Sequence, residues 1–219
     1  MKNKIVIRSR FGMEILFELE AKNNSIKKTV EVAVKNGVSL NGALLVGVSL
    51  VGASLKWATL NGALLDGALL DGALLDGASF VGASLDGASF VGASLDEASF
   101  VRASLDGASL DGASLVGTLL DGASLDGASL DGASLDGKNK IVKAIVFSGI
   151  YKYSTIAYII KENEKRVKMG CFDRSLREWE DDFWNNDSEF PNNNSKKSNL
   201  RFLAFETAKK WFEVVKIES

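Results

Sequence analysis

A five-residue alternation of apolar and polar positions runs through the middle of the chain. From Val38 to Gly137 it repeats as 20 pentads without an insertion. The third residue of every pentad is Leu or Phe, the first is Ala, Val or Thr, and the fifth is Gly in 17 of the 20. Self-similarity at a fixed period is the signature of a repeat architecture, so we expect this stretch to be a solenoid.

The period of five excludes the common regular structures. It matches neither the 3.6-residue period of a helix nor the 2.0-residue period of a strand. A Gly at every fifth position would cost an α-helix about 1 kcal/mol each time, and collagen needs Gly at every third position. What remains is a coil in which each pentad forms one side and one corner, with Leu or Phe pointing inward and Gly serving the turn.

These pentads resemble the pentapeptide-repeat family, whose consensus is A(D/N)LXX. The resemblance implies a mainly β fold, a right-handed quadrilateral β-helix with four pentads per coil and therefore five coils over residues 38–137. This chain differs by placing Ser where the family usually has Asp or Asn. Residues 20 apart then stack, which places Phe80 over Phe100 and Phe90 in the opposite column, in a stack ~24 Å tall.

The segment before the repeat, residues 1–37, predicts a hairpin and a helix. Apolar and polar residues alternate on both sides of Gly12, which predicts a β-hairpin over residues 4–20. Residues 25–36 carry an apolar stripe at helical spacing, and Gly37 suits the position after a helix. A solenoid needs its raw ends covered, so we expect this helix to cap the first coil.

The segment after the repeat, residues 138–219, predicts a small α+β domain. Its predicted elements are strands at 141–150, 154–161 and 166–171, a helix at 175–184, a polar loop at 185–199 and a helix at 199–216.

This tail resembles a C-terminal region of phage-encoded pentapeptide-repeat proteins. The resemblance rests on four runs: Met169-Gly170-Cys171, Glu178-Trp179-Glu180, Phe183-Trp184-Asn185-Asn186 and Glu189-Phe190-Pro191-Asn192. It implies a phage origin rather than a mechanism.

The distribution of charge divides the chain into the same three segments. Its net charge is −2, but residues 38–137 carry two basic and twelve acidic residues, whereas each flank has four more basic than acidic residues. The chain has no histidine and one cysteine, Cys171, so the commonest general base and an internal disulfide are both excluded. We expect no enzyme activity, no cofactor, no metal site and no membrane span.

Aspartates recur at the fourth, outward position of the pentads. Stacking by 20 residues predicts a ladder on one face and acidic positions on all sides of the last coil, and these are the candidate partner-binding residues. They are Asp66, Asp86, Asp106, Asp126, Asp121, Asp131 and Asp136. One interpretation is a rod that imitates duplex DNA, because stacked carboxylates create a sustained negative field. The other is that Asp-Gly is good turn chemistry and keeps a rod soluble.

Apolar residues at outward positions predict a contact surface. The candidate apolar contact patch consists of Leu44, Leu64, Leu69, Leu74, Val81 and Val101. Such clusters mark contacts, which here could be with the N-terminal cap, with a second copy of the chain or with a foreign partner.

Three corners lack the usual glycine. Trp57 is expected either to pack under the N-terminal cap or to anchor a partner. Glu97 and Arg102 replace Gly at successive corners, and we expect them to form a surface ion pair.

Together these patterns predict a non-catalytic protein-interaction module in the cytoplasm, or in the host cytoplasm if it is phage-encoded. Its acidic rod would bind a DNA-handling host protein, such as a topoisomerase or a phage-defence factor, without contacting nucleic acid directly. The alternative is an inert spacer that presents the C-terminal domain for recognition or oligomerisation.

Overall fold

The computed structural model describes residues 2–147, 150, 155–160, 163–169, 172–182 and 195–215. Its elements before the repeat are β1 (Lys2–Arg8), β2 (Ile15–Lys22) and α1 (Ile26–Lys35). Those after the repeat are β3 (Ile141–Phe147), β4 (Thr155–Ile160), β5 (Lys165–Met169), β6 (Phe172–Ser175), α2 (Leu176–Asp182) and α3 (Lys196–Val214).

The predicted hairpin and first helix are both present. β1 and β2 pair antiparallel. The hydroxyl of Ser25 accepts a hydrogen bond from the backbone N–H of Lys28 and so caps the start of α1. Gly37 has φ +70°, the left-handed conformation that commonly ends a helix.

Helix α1 lies against the first coil of the repeat. Its buried residues Val30 and Ala33 belong to the same apolar cluster as the leucines of the repeat. Lys27 Nζ donates to the carbonyl of Val51 at 2.8 Å, and Glu31 Oε1 accepts from the backbone N–H of Ser54 at 2.9 Å. These side chains satisfy backbone groups at an edge that has no preceding coil.

Parallel β-bridges join residues 20 apart along the repeat. They run from the Leu44–Leu64 bridge to the Ser114–Ser134 bridge. At one such position Leu50 N donates to Leu69 O at 2.7 Å, and Leu69 N donates to Val48 O at 2.9 Å. Four pentads therefore complete one turn of the coil, with a β-bridge on each side.

The inward third positions form the core. Phe80, Phe90 and Phe100 are fully buried. The rings of Phe80 and Phe100 stack with centroids 4.9 Å apart and planes within 2°, and Phe90 meets Phe100 edge-on at 6.0 Å. The predicted stacking of Phe80 on Phe100, with Phe90 approaching from the other side, is confirmed.

The C-terminal sheet closes the far end of the coil. The sheet is antiparallel in the order β3-β4-β5-β6. At its start, Gly132 N donates to Ile141 O and Ile141 N donates to Ala133 O, both at 2.8 Å. Ile156 and Ile160 join the buried cluster of the coil, and Ile159, on the other face of β4, packs in the cluster of α2 and α3. The sheet therefore lies between the last coil and the two helices.

The tail elements follow the prediction with shifted ends and one addition. The predicted strand at 166–171 corresponds to β5, and β6 is an additional strand that the sequence did not predict. The predicted helix at 175–184 is α2, and its capping box is confirmed: Ser175 Oγ accepts from Glu178 N, and Glu178 Oε2 accepts from Ser175 N. Helix α3 begins at Lys196 rather than 199, because Ser195 caps it by accepting from Ser198 N at 3.2 Å.

Much of the predicted polar loop and of the phage-like motif lies outside the described residues. Of that motif the structure describes Met169 and the Glu178–Glu180 run. Within the residues that the structure covers, none of the helices has the length and apolar character needed to cross a membrane.

Candidate interaction surfaces on the coil

The four sides of the coil carry different outward residues. Side A consists of residues 38–42, 58–62, 78–82, 98–102 and 118–122. The next three pentads, which begin at Ala43, Val48 and Ala53, start sides B, C and D. Each of these sides also contains the pentads that follow at intervals of 20 residues. Outward chemistry can therefore be compared one side at a time.

The acidic candidates fall on all four sides. Asp66, Asp86, Asp106 and Asp126 lie one above another on side B. Asp121, Asp131 and Asp136 lie on sides A, C and D of the last coil. The structure brings the first four into one column and spreads the other three around the rim.

Most of the aspartates also hold one coil to the next. Asp66 Oδ1 accepts from Ser84 Oγ at 2.5 Å and from the backbone N–H of Asp86 at 3.0 Å. Asp106 Oδ1 accepts in the same way from Ser124 Oγ at 2.5 Å and from Asp126 N at 2.9 Å. We call the bond from a serine hydroxyl to the acceptor 18 residues earlier the Ser–Asp clamp.

The clamp recurs wherever an acidic or amide side chain lies beneath a serine. The pairs are Asn61–Ser79, Asp66–Ser84, Asp71–Ser89, Asp76–Ser94, Asp86–Ser104, Asp96–Ser114, Asp106–Ser124 and Asp111–Ser129. The serine that departs from the family consensus is thus the donor of an inter-coil bond. Sequence reasoning missed this role, although the 18-residue offset between the two positions was visible.

The last coil has no coil above it to complete the clamp. Within the described part of the chain, no hydrogen bond or ion pair engages the carboxylates of Asp121 and Asp131. Asp136 instead accepts from the backbone N–H groups of Lys138 and Asn139. Burial alone would raise the pKa of Asp136, but these bonds, with those from the side chains of Asn139 and Ser134, lower it to about 2.

The clamp predicts a position-dependent effect of losing a carboxylate. We expect Asp66→Ala to lower the free energy of unfolding by about 1–2 kcal/mol, because Ser84 Oγ and Asp86 N lose their acceptor. Urea denaturation measures the change.

Two control variants isolate the clamp. Asp66→Asn keeps the acceptor, as Asn61 does, and Asp121→Ala removes a carboxylate that clamps nothing, so each should change stability by less than about 0.5 kcal/mol. Equal losses in Asp66→Ala and Asp121→Ala would rule out a stabilising clamp.

The apolar candidates form a belt rather than a single patch. Leu44 and Leu64 lie on side B, Leu69 on side C and Leu74 on side D, while Val81 and Val101 lie on side A. Leu69 and Leu74 are 43% and 42% exposed. No one flat partner contacts all four sides at once, so these six residues do not form one contact surface.

Each outward leucine with a coil beneath it lies where a clamp is impossible. Leu64, Leu69, Leu74 and Leu119 occupy the serine position above Val46, Val51, Lys56 and Val101, which offer no acceptor. By equivalence with the clamped pairs, these side chains are neighbours. Above the three valines an apolar pair therefore takes the place of the hydrogen bond, whereas the Lys56 ammonium forms an ion pair with Asp76 at 2.9 Å.

The corner residues differ from their expected roles. Trp57 is 68% exposed and its ring lies over Gly77 of the next coil, so the expected packing under the N-terminal helix is wrong. The expected ion pair between Glu97 and Arg102 is also absent from the described structure. The side chain of Glu97 instead lies over Gly117, and that of Arg102 lies over Gly122. In each case the Cγ atom is 3.5 Å from the point where a Cβ would stand if the glycine were another residue.

A polar network lies where the sheet meets the coil. The Tyr158 hydroxyl, nearly buried, donates to the carboxylate of Asp173 at 2.6 Å, and Arg166 Nε donates to both side chains at 3.2 Å. Burial and the neighbouring Asp173 charge raise the pKa of Tyr158 far above its ordinary value. The network therefore keeps a neutral tyrosine beside a charged pair and has a structural role.

Four pentads per turn, an apolar interior and inter-coil bridges define a solenoid of the quadrilateral β-helix class. Residues 36–67, 63–100 and 98–137 match the model of the family described as pentapeptide repeats, in eight copies. Residues 36–137 are therefore similar to the pentapeptide-repeat family. Proteins of that family form right-handed quadrilateral β-helices and are generally non-catalytic structural or interaction proteins.

Solved structures of pentapeptide-repeat proteins are similar to part of the chain. One from the cyanobacterium Cyanothece 51142 is 31% identical, with 44% of this chain and 66% of that chain covered and a TM-score of 0.43. One from the thylakoid lumen of Arabidopsis thaliana is 31% identical, with 44% and 63% covered and a TM-score of 0.36.

A third structure is full-length QnrB1, a plasmid-mediated fluoroquinolone resistance protein. It is 23% identical, with 41% of this chain and 49% of that chain covered and a TM-score of 0.29. The chain spans less than two thirds of the length of each of these three proteins. No curated protein matches it.

Proposed function

We propose that this protein is a non-catalytic interaction module whose acidic rod binds a basic, DNA-handling host protein. The proposal treats the chain as three parts: residues 1–37 as a cap, 38–137 as a five-coil rod and 138–219 as an α+β domain. It places the protein in the cytoplasm, the host cytoplasm if it is phage-encoded.

The observation that carries the proposal is the unbroken column of Asp66, Asp86, Asp106 and Asp126 on side B. Coils are ~4.8 Å apart, so the column presents one carboxylate per ~4.8 Å along the rod. The clamps already hold the side chains of Asp66, Asp86 and Asp106 in place. Binding a partner therefore costs these side chains little further conformational entropy. A row of one sign steers an oppositely charged surface toward it.

The side-B column predicts a charge-dependent, side-specific affinity. The test variant is the quadruple change of Asp66, Asp86, Asp106 and Asp126 to Asn, which removes four charges and keeps the clamp acceptors. We expect its affinity for a purified bacterial type II topoisomerase to fall at least tenfold, with a shallower dependence on salt. Binding isotherms at several salt concentrations measure both quantities.

The matched control carries the same charge change on the other sides. Asp71, Asp96, Asp111 and Asp131 lie on sides C and D, and their quadruple change to Asn should reduce affinity less than the side-B variant. Equal affinities of the side-B variant and the unmodified chain would contradict the acidic-rod function. The same comparison serves for a defence nuclease as the probe.

The second candidate function is an inert spacer that presents the C-terminal part. The observation that favours it is the clamp, because a bond between coils gives the aspartates a reason to be present without any partner. Recognition would then use exposed residues of the tail, such as Leu203 on α3, which is 52% exposed.

Full-length variants separate the two functions. Deleting 138–219 is unsuitable, because Ile141, Ile156 and Ile160 are buried with the core of the coil. A spacer predicts that Leu203→Glu weakens binding while the side-B variant binds normally. The acidic rod predicts the reverse.

A further inference from the structure

The positions that differ from the usual pentad sequence lie mostly on or beside side A. The three corners without glycine all border it: Trp57 and Glu97 at the edge shared with side D, and Arg102 at the edge shared with side B. The fourth position of side A is also not an aspartate in the first four coils, and the first aspartate there is Asp121 in the last coil. Each of the other three sides already has an aspartate at this position in the second coil. This side alone combines irregular corners with a neutral face.

The irregular corners are conformationally unfavourable. Trp57, Glu97 and Arg102 have φ values of +61°, +61° and +58°, a left-handed conformation that the other corners give to glycine. Bulky residues held in that region cluster at functional sites, where the contacts they make offset the strain. Within one copy these residues lie over Gly77, Gly117 and Gly122 of the next coil, but Trp57 is still mostly exposed and Glu97 and Arg102 form no ion pair with each other in the described structure. The exposed ring and the two charges therefore remain available for contacts with another molecule.

Glu97 and Arg102 lie at opposite edges of side A in the same coil. They bracket the pentad 98–102, so they are at most ~16 Å apart, the length of five residues of fully extended chain. A two-fold axis that runs parallel to the rod and just outside side A brings each edge of one copy against the opposite edge of the other. Glu97 of each copy then meets Arg102 of the other copy at the same height, and the face is complementary to itself.

We propose that side A is the interface of a parallel homodimer, with two reciprocal Glu97–Arg102 ion pairs between the copies. The face is distinct from the acidic column on side B, so the dimer neither requires nor excludes the proposed function.

The same symmetry pairs the exposed aromatic residues. The Phe11 ring, 70% exposed, lies over Gly42 and near Gly62 at the edge of side A that borders side B. Trp57 lies at the opposite edge, with its backbone between the heights of Gly42 and Gly62 and its ring over Gly77. The two-fold axis therefore brings Trp57 of each copy level with Phe11 of the other, where Arg10 already stands over the Phe11 ring at 4.7 Å. Aromatic residues and arginine are the usual anchors of protein interfaces.

The size of the face sets the expected affinity. A side five residues wide and ~24 Å tall covers roughly 400 Å² per copy, about half the area that a standard stable interface buries on each partner. We therefore expect a weak dimer with a dissociation constant in the micromolar range. The charge pairs fix its register more than its strength.

Sedimentation analysis of the full chain from about 1 to 300 μM tests the interface. We expect Glu97→Arg and Arg102→Glu to weaken the dimer at least tenfold each, because each places like charges across the two-fold axis. The double variant, which swaps the two charges, should recover the original dissociation constant within about threefold. Asp131→Lys changes the net charge as Glu97→Arg does, but on side C, and should leave the dimer unchanged.

Trp57→Gly supplies a second readout that a purely structural role would not give. Glycine relieves the left-handed strain, so the melting temperature should not fall, while dimerisation should weaken at least fivefold. A monomer at 300 μM, single charge variants that dimerise normally, or a charge swap without recovery would each overturn the proposal.

Discussion

Phe100→Ala should lower the free energy of unfolding by about 3–5 kcal/mol, the largest single effect that we expect in the coil. Phe100 is fully buried, stacks on Phe80 at 4.9 Å and meets Phe90 edge-on at 6.0 Å. Its removal leaves a cavity at the point where the two aromatic columns meet, and a closed coil has little freedom to collapse into it. Urea denaturation of the full chain measures the loss.

Phe100→Leu is the matched control. Leu60 lies in the same column two coils before Phe100 and Leu120 lies one coil after it, so a leucine fits the backbone there. We expect it to cost less than about 1.5 kcal/mol. If Phe100→Ala cost no more than Phe100→Leu, the aromatic cluster would not be a principal source of stability.

Asp173→Ala should lower the free energy of unfolding by about 2–3 kcal/mol. It leaves the nearly buried Tyr158 hydroxyl without its acceptor and removes the carboxylate that faces Arg166 Nε at 3.2 Å. These hydrogen bonds lie at the junction between the sheet and the last coil. The sheet and the last coil should therefore both unfold more easily. Thermal and urea denaturation measure the effect.

Glu164→Ala is the control for this network. It removes the other carboxylate partner of Arg166, at 2.8 Å, but on an exposed side chain, where an ion pair contributes little. We expect less than about 0.5 kcal/mol. Similar losses for the two variants would mean that burial does not decide the strength of this network.

The fold could be predicted where the sequence is periodic. Each pentad has an inward Leu or Phe followed by a turn. Because the same pattern recurs 20 times, it predicts one regular fold, a coil. The stacking of Phe80 on Phe100 followed from the four pentads per coil that the resemblance to the pentapeptide-repeat family implies. The tail has no such repetition, so the ends of its elements shifted, and β6, a strand of only four residues that pairs with β5, was not predicted.

The candidate surfaces were harder to predict, because their chemistry depends on neighbours 18 or 20 residues away. Asp66 looks like a free surface charge until Ser84 is placed above it. The expected pair between Glu97 and Arg102 failed because residues five apart lie at opposite edges of a side, rather than next to each other.

The sequence by itself determined the solenoid and the acidic character of the rod, because a strict period of five favours a coil that buries a leucine at every fifth position. The columns of the core also needed the four pentads per coil that the family resemblance implies. Only the tertiary structure decided which carboxylates clamp one coil to the next, that Trp57 stays exposed and that the C-terminal sheet closes the last coil. Those features depend on contacts between distant residues, and the direction of a side chain at a corner is set by the coil stacked upon it.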